Sequence, residues 1–569
     1  MKTGEETGSR LDLTELVRVA RTHLYWLFGE APAVASDILR KPALQRVNIT
    51  LRTRGQVRGS MSGHGKMFRE QLLDAVNRAC RDARFAHSIV KADLDEISVE
   101  VWLQVSSKLI PVEDRESEDA IEFGQDGIEA EQGPAFAYYK PSVALTGQFE
   151  SPQIFFSALC KKAYLPADAW KYPNCQLRRT RWVHLCETSD GNIVEMNALR
   201  VKKTLAITAE SMARWAQSGV SYFKANQHFD GSFCYRYRPF LDSARREDSN
   251  PVRASGCAYA MASAVSSTKL VSDRETKECA KRAVAAILLR STRLECGGTY
   301  IADKVGDPPR GKLGTTALLV LALLTQAFRA EHEEEIKSLM AGMKSLQSSD
   351  GMFECTIGQH ECTESQINFF PGQALLALVV RAEQGDESCR DHYRRSFVPY
   401  RDHFRRSPAT AFVGWHVDVW SRAALLDSST EYAEFVFSQI DWLLQFQIQG
   451  DKQQLATGGF SWNGKPPNYS SIVYTEAIAR GGDLAYRLGD SRWFTYRDAF
   501  RAGLEFCSRL RLTKEQSIFF PHPARAVGGM TKSLSDFEVR SDVVQHSIML
   551  ALAALDCPAL LDGQDGSVM

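Results

Sequence analysis

The residues best suited to chemistry in this chain stand at the starts of apolar segments rich in Ala, Gly, Ser and Leu. A charged group in a dry interior costs several kcal/mol unless it is paired. Charged side chains that recur at one end of apolar helices therefore predict a polar cavity. The candidates for general acid and base in that cavity are His416, Asp418, Asp542, His546, Tyr469 and Glu476.

A second set of residues is suited to binding a substrate. Arg253, Lys312 and Arg540 are cations at predicted helix starts, where the helix dipole adds partial positive charge. Together they favour an anionic substrate such as a carboxylate or a phosphate. The other binding candidates are Asp230, Tyr235, Arg236, Asn368 and Trp415, with Glu364 beside them. For each of these residues alone, a helix cap or a satisfied core contact is the alternative.

The predicted chemistry is proton transfer. His416 with Asp418 or Asp542, and also Tyr469, could act as acid and base, a contribution of about 10²–10⁴-fold in rate. Asp542 and His546 are four residues apart, so a helix places them on one face.

No metal or cofactor is expected. The one local cluster of metal-binding residue types, Cys355, His360 and Cys362, lacks the four closely spaced ligands that zinc prefers, so an ordinary loop is the better interpretation. Neither Gly-x-Gly-x-x-Gly nor Gly-x4-Gly-Lys-Ser/Thr occurs, which disfavours a nucleotide fold.

Five glycine-aromatic signals mark the elements that must position these residues. Each signal precedes an apolar helix, and a sixth such helix near Trp415 has no signal of this kind. A unit repeated at a roughly fixed period indicates helical hairpins. The signals are Asp230-Gly231-Ser232-Phe233, Gly297-Gly298-Thr299-Tyr300, Asp350-Gly351-Met352-Phe353, Gly458-Gly459-Phe460 and the looser Gly528-Gly529-Met530.

Two kinds of helix alternate through this part of the chain. Apolar helices are predicted to begin near Arg253, Lys312, Gln366, Gly414, Tyr469 and Arg540. Amphipathic helices are predicted between them, at Glu275–Leu289, Glu331–Leu346, Glu431–Phe446 and Trp493–Leu510. A double-layered ring requires this alternation, because inner helices are buried nearly all round while outer helices bury one stripe.

The alternation resembles the (α/α)6 toroid superfamily over residues 205–560. That superfamily includes glycosidases, uronyl lyases, sugar epimerases, terpene cyclases and lanthionine cyclases, so the fold alone names no reaction. The acidic motifs of terpene chemistry and the Cys-His-Gly zinc motif of lanthionine cyclases are absent from the sequence. The resemblance therefore implies a hydrolase, lyase or epimerase acting on a sugar-like small molecule or oligomer.

The N-terminal third mixes helices and strands without regular alternation, which predicts an α+β domain over residues 10–203. The expected helices are Leu11–Phe28 and Phe68–Ala83, and the expected strands are Val47–Arg54, Val57–Ser62 and Ile97–Ser106.

The order of motifs in this third resembles AMMECR1-type domains. Arg58-Gly59-Ser60-Met61-Ser62-Gly63 is similar to that family's Arg-Gly-Cys-Ile-Gly signature. Asp82-Ala83-Arg84-Phe85, Gly124-Gln125-Asp126-Gly127-Ile128, Pro141-Ser142-Val143-Ala144 and Leu159-Cys160-Lys161-Lys162-Ala163 match later parts of the pattern. The resemblance carries no settled activity, so this domain is expected to bind or position.

Ser60 is the main departure from that pattern, because it stands where the family usually has cysteine. A serine nucleophile needs an adjacent base, and His64 is the nearest candidate. The alternative is a strand residue beside a flexible loop.

The bulk composition limits the partners. The 569 residues carry 69 Lys+Arg and 69 Asp+Glu, so no global field favours nucleic acid or an anionic membrane. The polar N-terminus has no signal-peptide core, no apolar run is long enough to span a bilayer, and the 13 cysteines are scattered. A cytoplasmic protein with free thiols is expected. A tailoring enzyme for a peptide or natural product, and a non-catalytic binding or scaffold protein, remain alternative functions.

Overall fold

The computed structural model describes residues 13–33, 46–85, 88–202, 205–244, 250–295, 297–304, 310–358, 363–450 and 454–561. Among these residues, no helix combines the length and the apolar character needed to cross a membrane. His360 and Cys362 of the possible metal cluster lie outside the described residues. The predicted class is confirmed, since an α+β region precedes a helical ring.

The described residues of the N-terminal region are built on one antiparallel sheet of eight strands. Its main path runs β2-β1-β3-β6-β4-β5, and β7 and β8 extend from β6. The strands are β1 Arg46–Thr53, β2 Gln56–Ser62, β3 Ser98–Leu109, β4 Asp126–Gln132, β5 Ala135–Tyr139, β6 Gln176–Glu187, β7 Ile193–Asn197 and β8 Arg200–Val201.

Four helices pack on this sheet and form two separate apolar cores with it. One core joins α1 and α2 to strands β1 and β3, and the other joins α3 and α4 to strands β4 and β6. The helices are α1 Thr14–Leu27, α2 Phe68–Cys80, α3 Pro141–Thr146 and α4 Pro152–Lys162. The predicted helices and strands of this region are present, with boundaries shifted by a few residues.

Within the described part of the chain, twelve longer helices form the ring as six hairpins. The outer helices are α5 Ala209–Ala225, α7 Arg274–Leu288, α9 Glu333–Ser345, α12 Ser388–Arg406, α14 Thr430–Leu444 and α16 Arg492–Leu510. The inner helices are α6 Pro251–Ser266, α8 Leu313–Leu323, α11 Phe370–Glu383, α13 Thr410–Asp427, α15 Ser470–Leu488 and α18 Ser541–Asp556. Each inner helix packs on the next, and α18 packs on α6, so the ring is closed.

Short elements join the hairpins. The two short helices are α10 Glu364–Ile367 and α17 Pro523–Ala526. The strands are β9 Arg236–Arg238, β10 Ser243–Ala244, β11 Ser291–Arg293, β12 Thr299–Lys304, β13 Arg310–Lys312, β14 Thr356–Ile357 and β15 Val539–Arg540. Strand β9 pairs with β15, which ties the first loop of the ring to the start of α18.

The inner helices follow the predicted apolar segments. Every residue of α8 is buried, as expected for a helix enclosed on all sides. Helix α11 begins at Phe370 instead of near Gln366, because α10 takes the preceding residues and Pro371 favours the first turn of a new helix. Helix α13 begins at Thr410, four residues before Gly414. The outer helices α5 and α12 were not among the sequence predictions.

The glycine signals dock each turn against the next outer helix. Gly231 has φ +85°, and a Cβ there would lie 2.3 Å from the carbonyl oxygen of Arg282 in α7. Gly528, in the fifth signal, has φ +87°, and its Cβ would lie 2.0 Å from the carbonyl oxygen of Ser218 in α5. Glycine is therefore required at both positions. Since α5 is the first outer helix, the fifth signal helps to close the ring.

The N-terminal region and the ring are joined through the chain that precedes α18. The buried Arg200 donates to the carbonyl oxygens of Arg509, Ser533 and Leu534. Its burial lowers the pKa of its guanidinium to about 9. The backbone N–H of Gly55 donates to the carbonyl of Ile518 at 3.2 Å. These contacts place the β1–β2 hairpin against the ring.

Candidate functional site

Asp542 holds two arginines at the start of α18. The guanidinium of Arg540 donates to both carboxylate oxygens, at 3.0 and 2.6 Å, and Arg253 Nε lies 3.3 Å from Asp542 Oδ2. Arg540 also donates to the hydroxyl of Tyr469 at 3.1 Å. Burial works to lower the pKa of Arg540, but Asp542 outweighs it and the pKa is raised. Helices α6, α15 and α18 thus meet in one charged cluster.

Tyr235 joins this cluster through the β9–β15 pairing. The backbone N–H of Ser541 donates to the carbonyl of Tyr235 at 3.0 Å, and the Arg540 guanidinium carbon lies 5.5 Å from the centre of the Tyr235 ring. Burial and the nearby Asp542 raise the pKa of Tyr235. Its hydroxyl therefore stays protonated at neutral pH and can donate a hydrogen bond.

A histidine–carboxylate pair lies one helical turn further into the ring. His546 Nδ1 is 2.9 Å from Glu476 Oε2, and both side chains are 12% exposed. The ring of Trp415 is centred 5.5 Å from that of His546. A carboxylate on Nδ1 fixes the orientation of an imidazole and leaves Nε2 as the nitrogen that can exchange a proton with a ligand.

Asp418 belongs to a deeper network of ion pairs. Its Oδ1 accepts from Arg422 Nε at 2.9 Å, and its Oδ2 lies 3.8 Å from Arg480 Nε. Arg422 also donates to Glu383 at 3.0 Å. Burial works to raise the pKa of Asp418, but Arg422 and Arg480 outweigh it and keep the pKa below its usual range. Asp418 is therefore held as a carboxylate between fixed cations.

The structure places His416 outside the charged cluster. Its ring stacks on Phe412 with centroids 3.6 Å apart, and its Nδ1 accepts from Trp420 Nε1 at 3.3 Å. The side chain is fully buried, and this burial lowers its pKa well below the usual value. Tyr400 of α12 lies beside it, with ring centroids 5.3 Å apart. His416 is a neutral core histidine between α13 and α12, because its helix position faces the outer layer.

Two other binding candidates are bonded within their own hairpins. Lys312 Nζ lies 3.3 Å from Asp303 Oδ2, where β12 and β13 pair ahead of α8. Oδ1 of the buried Asn368 accepts a hydrogen bond from His403 Nε2 at 3.3 Å. The structure therefore does not bring either side chain to the Arg540 cluster.

The first-loop candidates Asp230 and Arg236 have local roles. Asp230 Oδ1 accepts from the backbone N–H of Ser232 at 3.0 Å and from its hydroxyl at 2.6 Å, which stabilises the glycine turn. Arg236 lies opposite Arg540 in the β9–β15 pair, and its Nε is 4.0 Å from Glu538 Oε1. Arg236 thus borders the cluster, while Asp230 faces the outer layer at α7.

A cavity of about 640 Å³ lies in the N-terminal region, and Phe240 and Phe519 of the ring complete its wall. Ser60 lines this cavity, and its Oγ lies 3.1 Å from Lys140 Nζ. His64, the predicted base, also lines the cavity, and its backbone N–H donates to Asp74. Sequence reasoning missed Lys140, although it stands directly before the quoted Pro141-Ser142-Val143-Ala144 turn.

Glu100, His184 and Cys186 form a buried group behind this cavity. Their possible metal-ligating atoms lie within 4.8 Å of one another. Both carboxylate oxygens of Glu100 are already bonded, one to Arg52 Nε at 2.9 Å and the other to His184 Nε2 at 2.9 Å. Because these bonds already occupy Glu100, the three residues are better explained as structural support for the cavity wall than as an open metal site.

The N-terminal region matches a known protein family. Residues 25–182 match the AMMECR1 family model. The AMMECR1 match confirms the resemblance that the motifs predicted for this part of the chain. The AMMECR1-like sheet therefore carries the cavity that contains Ser60 and Lys140.

The relatives with similar sequences each match about one-fifth of the chain. A protein of Methanocella arvoryzae is 33% identical over 102 residues, which are 18% of this chain and 50% of the relative. A protein of Pyrobaculum aerophilum is 28% identical over 112 residues, 20% of this chain and 52% of the relative. The chain thus spans about half the length of these curated relatives.

Among solved structures, an uncharacterized protein from Pyrococcus horikoshii is 24% identical and covers 32% of this chain and 96% of its own, with a TM-score of 0.29. A D-mannose isomerase is 12% identical and covers 61% of this chain and 97% of its own, with a TM-score of 0.46. A sugar epimerase from a ruminal bacterium is 13% identical and covers 61% of this chain and 98% of its own, with a TM-score of 0.43. The ring itself is assigned from its own closed helix packing.

Proposed function

We propose that the ring is an enzyme that uses acid–base chemistry on an anionic, sugar-like small molecule or oligomer. The observation that carries the proposal is that the His546–Glu476 pair lies one turn along α18 from Asp542, which holds Arg540 and Arg253. The division into an N-terminal domain and a ring domain is part of this proposal.

The two arginines supply the proposed binding group. Asp542 neutralises one of their two positive charges, so the cluster of Arg253, Arg540 and Asp542 retains one net positive charge. The side chain of Arg253 is 36% exposed, which leaves part of its guanidinium open to a ligand. A planar guanidinium suits a substrate carboxylate because it donates two parallel hydrogen bonds. The Trp415 and Tyr235 rings supply apolar faces on which a sugar ring can stack.

His546 is the proposed proton-transfer residue, and Glu476 orients it. The second candidates for donating a proton are Tyr469, whose hydroxyl accepts from Arg540, and Tyr235, whose ring lies beside the Arg540 guanidinium. Asp418 and His416 stay outside this mechanism, since one is fixed between two arginines and the other is enclosed by aromatic rings.

The test is turnover of a panel of uronic-acid-containing oligosaccharides beside their neutral counterparts, followed by chromatography and mass spectrometry. His546→Gln and Glu476→Gln should each lower turnover by about 10²–10⁴-fold with folding intact. Arg253→Met should weaken the binding of the acidic substrates more than the binding of the neutral ones. His332→Gln is the matched control, because His332 also lies near a glutamate, Glu335, but stands at the N-cap of the outer helix α9.

Unchanged turnover in both His546→Gln and Glu476→Gln would reject the mechanism. If no panel member is turned over but an acidic sugar binds in an Arg253-dependent manner, the ring is a binding module instead. That outcome corresponds to the scaffold alternative.

A further inference from the structure

The cavity of the AMMECR1-like sheet holds a serine and a lysine in direct contact. Lys140 follows β5, and Ser60 lies in β2, 80 positions away in the chain. Lys140 Nζ lies 3.1 Å from Ser60 Oγ and 2.8 Å from Asn48 Oδ1, and it also bonds to the hydroxyl of Thr50. Ser60 Oγ is 3.0 Å from Thr50 Oγ1. These contacts fix both reactive atoms at the cavity wall.

We propose that Ser60 and Lys140 are a nucleophile–base pair that hydrolyses carboxylate-bearing esters in this cavity. The proposal concerns a second site and does not depend on the chemistry of the ring. Ser60 and Lys140 both line the cavity, so a ligand inside it can reach the pair.

The charge of the wall selects the substrate class. The described lining residues with ionisable nitrogen side chains are Arg46, Arg52, His64, Arg78, Arg84, Lys140 and Lys162. Acidic partners of the arginines, such as Glu129 for Arg46 and Asp82 for Arg84, lie behind the wall and are not part of the lining. An ester with a free carboxylate is therefore favoured over a neutral ester.

Lys140 has the surroundings that a general base requires. It is 8% exposed, and burial is the main cause that lowers its pKa to about 7. Glu100 of β3 opposes this shift, while Arg52 of β1, Lys162 of α4 and Arg84 after α2 add to it. A substantial fraction of the amine is then neutral at neutral pH and can accept a proton.

The reaction proceeds in two steps. Ser60 Oγ attacks the acyl carbon, its proton passes to Lys140 Nζ, the bond to the leaving alcohol breaks, and that alcohol takes the proton from Nζ. Water then attacks the acyl-serine with Lys140 again accepting the proton, which releases the carboxylic acid and restores the serine hydroxyl. Tyr138 lines the cavity, and we assign its hydroxyl, which is 2.7 Å from Ser62 Oγ and accepts from Asn48 Nδ2 at 3.1 Å, as the donor to the developing oxyanion.

The test uses the full chain, because Phe240 and Phe519 of the ring form part of the wall. The probe is 4-nitrophenyl hydrogen adipate, with 4-nitrophenyl acetate as the neutral comparison. We expect faster release of nitrophenolate from the adipate ester and an acyl adduct that peptide mapping places on Ser60. The acylation rate should rise with pH to a plateau above about pH 7, since only the neutral amine acts as base.

Ser60→Ala should remove the adduct and lower the rate by about 100-fold or more, whereas Ser60→Cys should still form an acyl adduct. Lys140→Met should lower the rate by about 100-fold and abolish the inflection near pH 7. Ser107→Ala is the matched control, because this serine bonds to Glu129 on the same sheet outside the lining.

Three results would overturn the proposal. The first is an unchanged rate in Ser60→Ala. The second is loss of the rate in His64→Gln with normal activity and pH profile in Lys140→Met, which would make His64 the base. The third is an equal rate for the two esters. If Lys140→Met does not fold, as judged by its unfolding temperature, the adduct on Ser60 and the pH profile of the parent protein still decide the matter.

Discussion

The centre of the ring and the cavity of the AMMECR1-like sheet handle charge in opposite ways. In the ring, cations and carboxylates meet face to face, as in the Arg540–Asp542 pair and the Arg422–Asp418 pair. In the cavity, the basic groups face the open space, and their acidic partners lie behind the wall. Most charges of the ring are therefore paired within the fold, with Arg253 left partly exposed, whereas the cavity presents several basic groups to its open space.

The largest effect is expected where the ring relies on a shared carboxylate. Asp542→Asn leaves Arg253 and Arg540 without their common counter-ion, and we expect a loss of about 3 kcal/mol in the free energy of unfolding of the ring. The measurement is the unfolding transition of the ring by calorimetry and denaturant titration.

Asp556→Asn is the matched control on the same helix. Asp556 pairs with Arg480 and Lys269, but its side chain is 57% exposed, so we expect a loss below about 1 kcal/mol. Equal losses in the two variants would contradict the view that the ring cluster holds the fold.

An effect that is intermediate per pH unit is expected in the cavity. The unfolded chain keeps the proton of Lys140 up to its ordinary pKa of 10.5, whereas the folded protein releases it near 7. Between these values the unfolded state binds more protons, so the stability of the parent protein relative to Lys140→Met should rise with pH, by at most about 1.4 kcal/mol per unit. Denaturant titrations at several pH values measure this difference.

Lys202→Met provides the comparison, because Lys202 is a largely exposed lysine paired with Glu195. Its stability difference from the parent protein should stay nearly flat over the same pH range. A flat difference for Lys140→Met as well would mean that Lys140 stays charged in the folded protein.

The smallest effect is expected at the rim of the cavity. Arg78 lies 3.9 Å from Asp74, and both side chains are about one-third exposed. Arg78→Met should change the free energy of unfolding by less than about 0.5 kcal/mol, because such exposed pairs contribute little. A loss of unfolding free energy as large as that of Asp542→Asn would show that the cations at the rim stabilise the fold.

Repeated patterns made much of the fold predictable. The glycine-aromatic signals and the alternation of helix types predicted the hairpins, since both depend on local turn geometry and on how much of each helix is buried. The sequence pattern did not predict the outer helix α12. Most of its residues are polar or charged, and the apolar stripe that includes Tyr393 and Phe397 is narrow. The polar residues at the ends of the inner helices could be recognised as a group, but their individual partners could not.

His416 and His546 illustrate that limit. Both are histidines within apolar helices, and the local sequence pattern does not distinguish them. Packing turns His416 toward Phe412 and Trp420, while it turns His546 toward Glu476, 70 positions away. The i,i+4 spacing of Asp542 and His546 places them on one face of α18, yet Asp542 pairs with Arg253 and Arg540.

The sequence by itself determined the hairpin repeat, the α+β character of the first third and the residue types available for chemistry, because these follow from local periodicity and turn preference. Only the tertiary structure decided which charges meet. The contact of Ser60 with Lys140 depends on β1 lying beside β2 and on the course of the chain after β5, so no local pattern contains it. Side chains far apart in the chain become partners only through the packing of the elements that carry them.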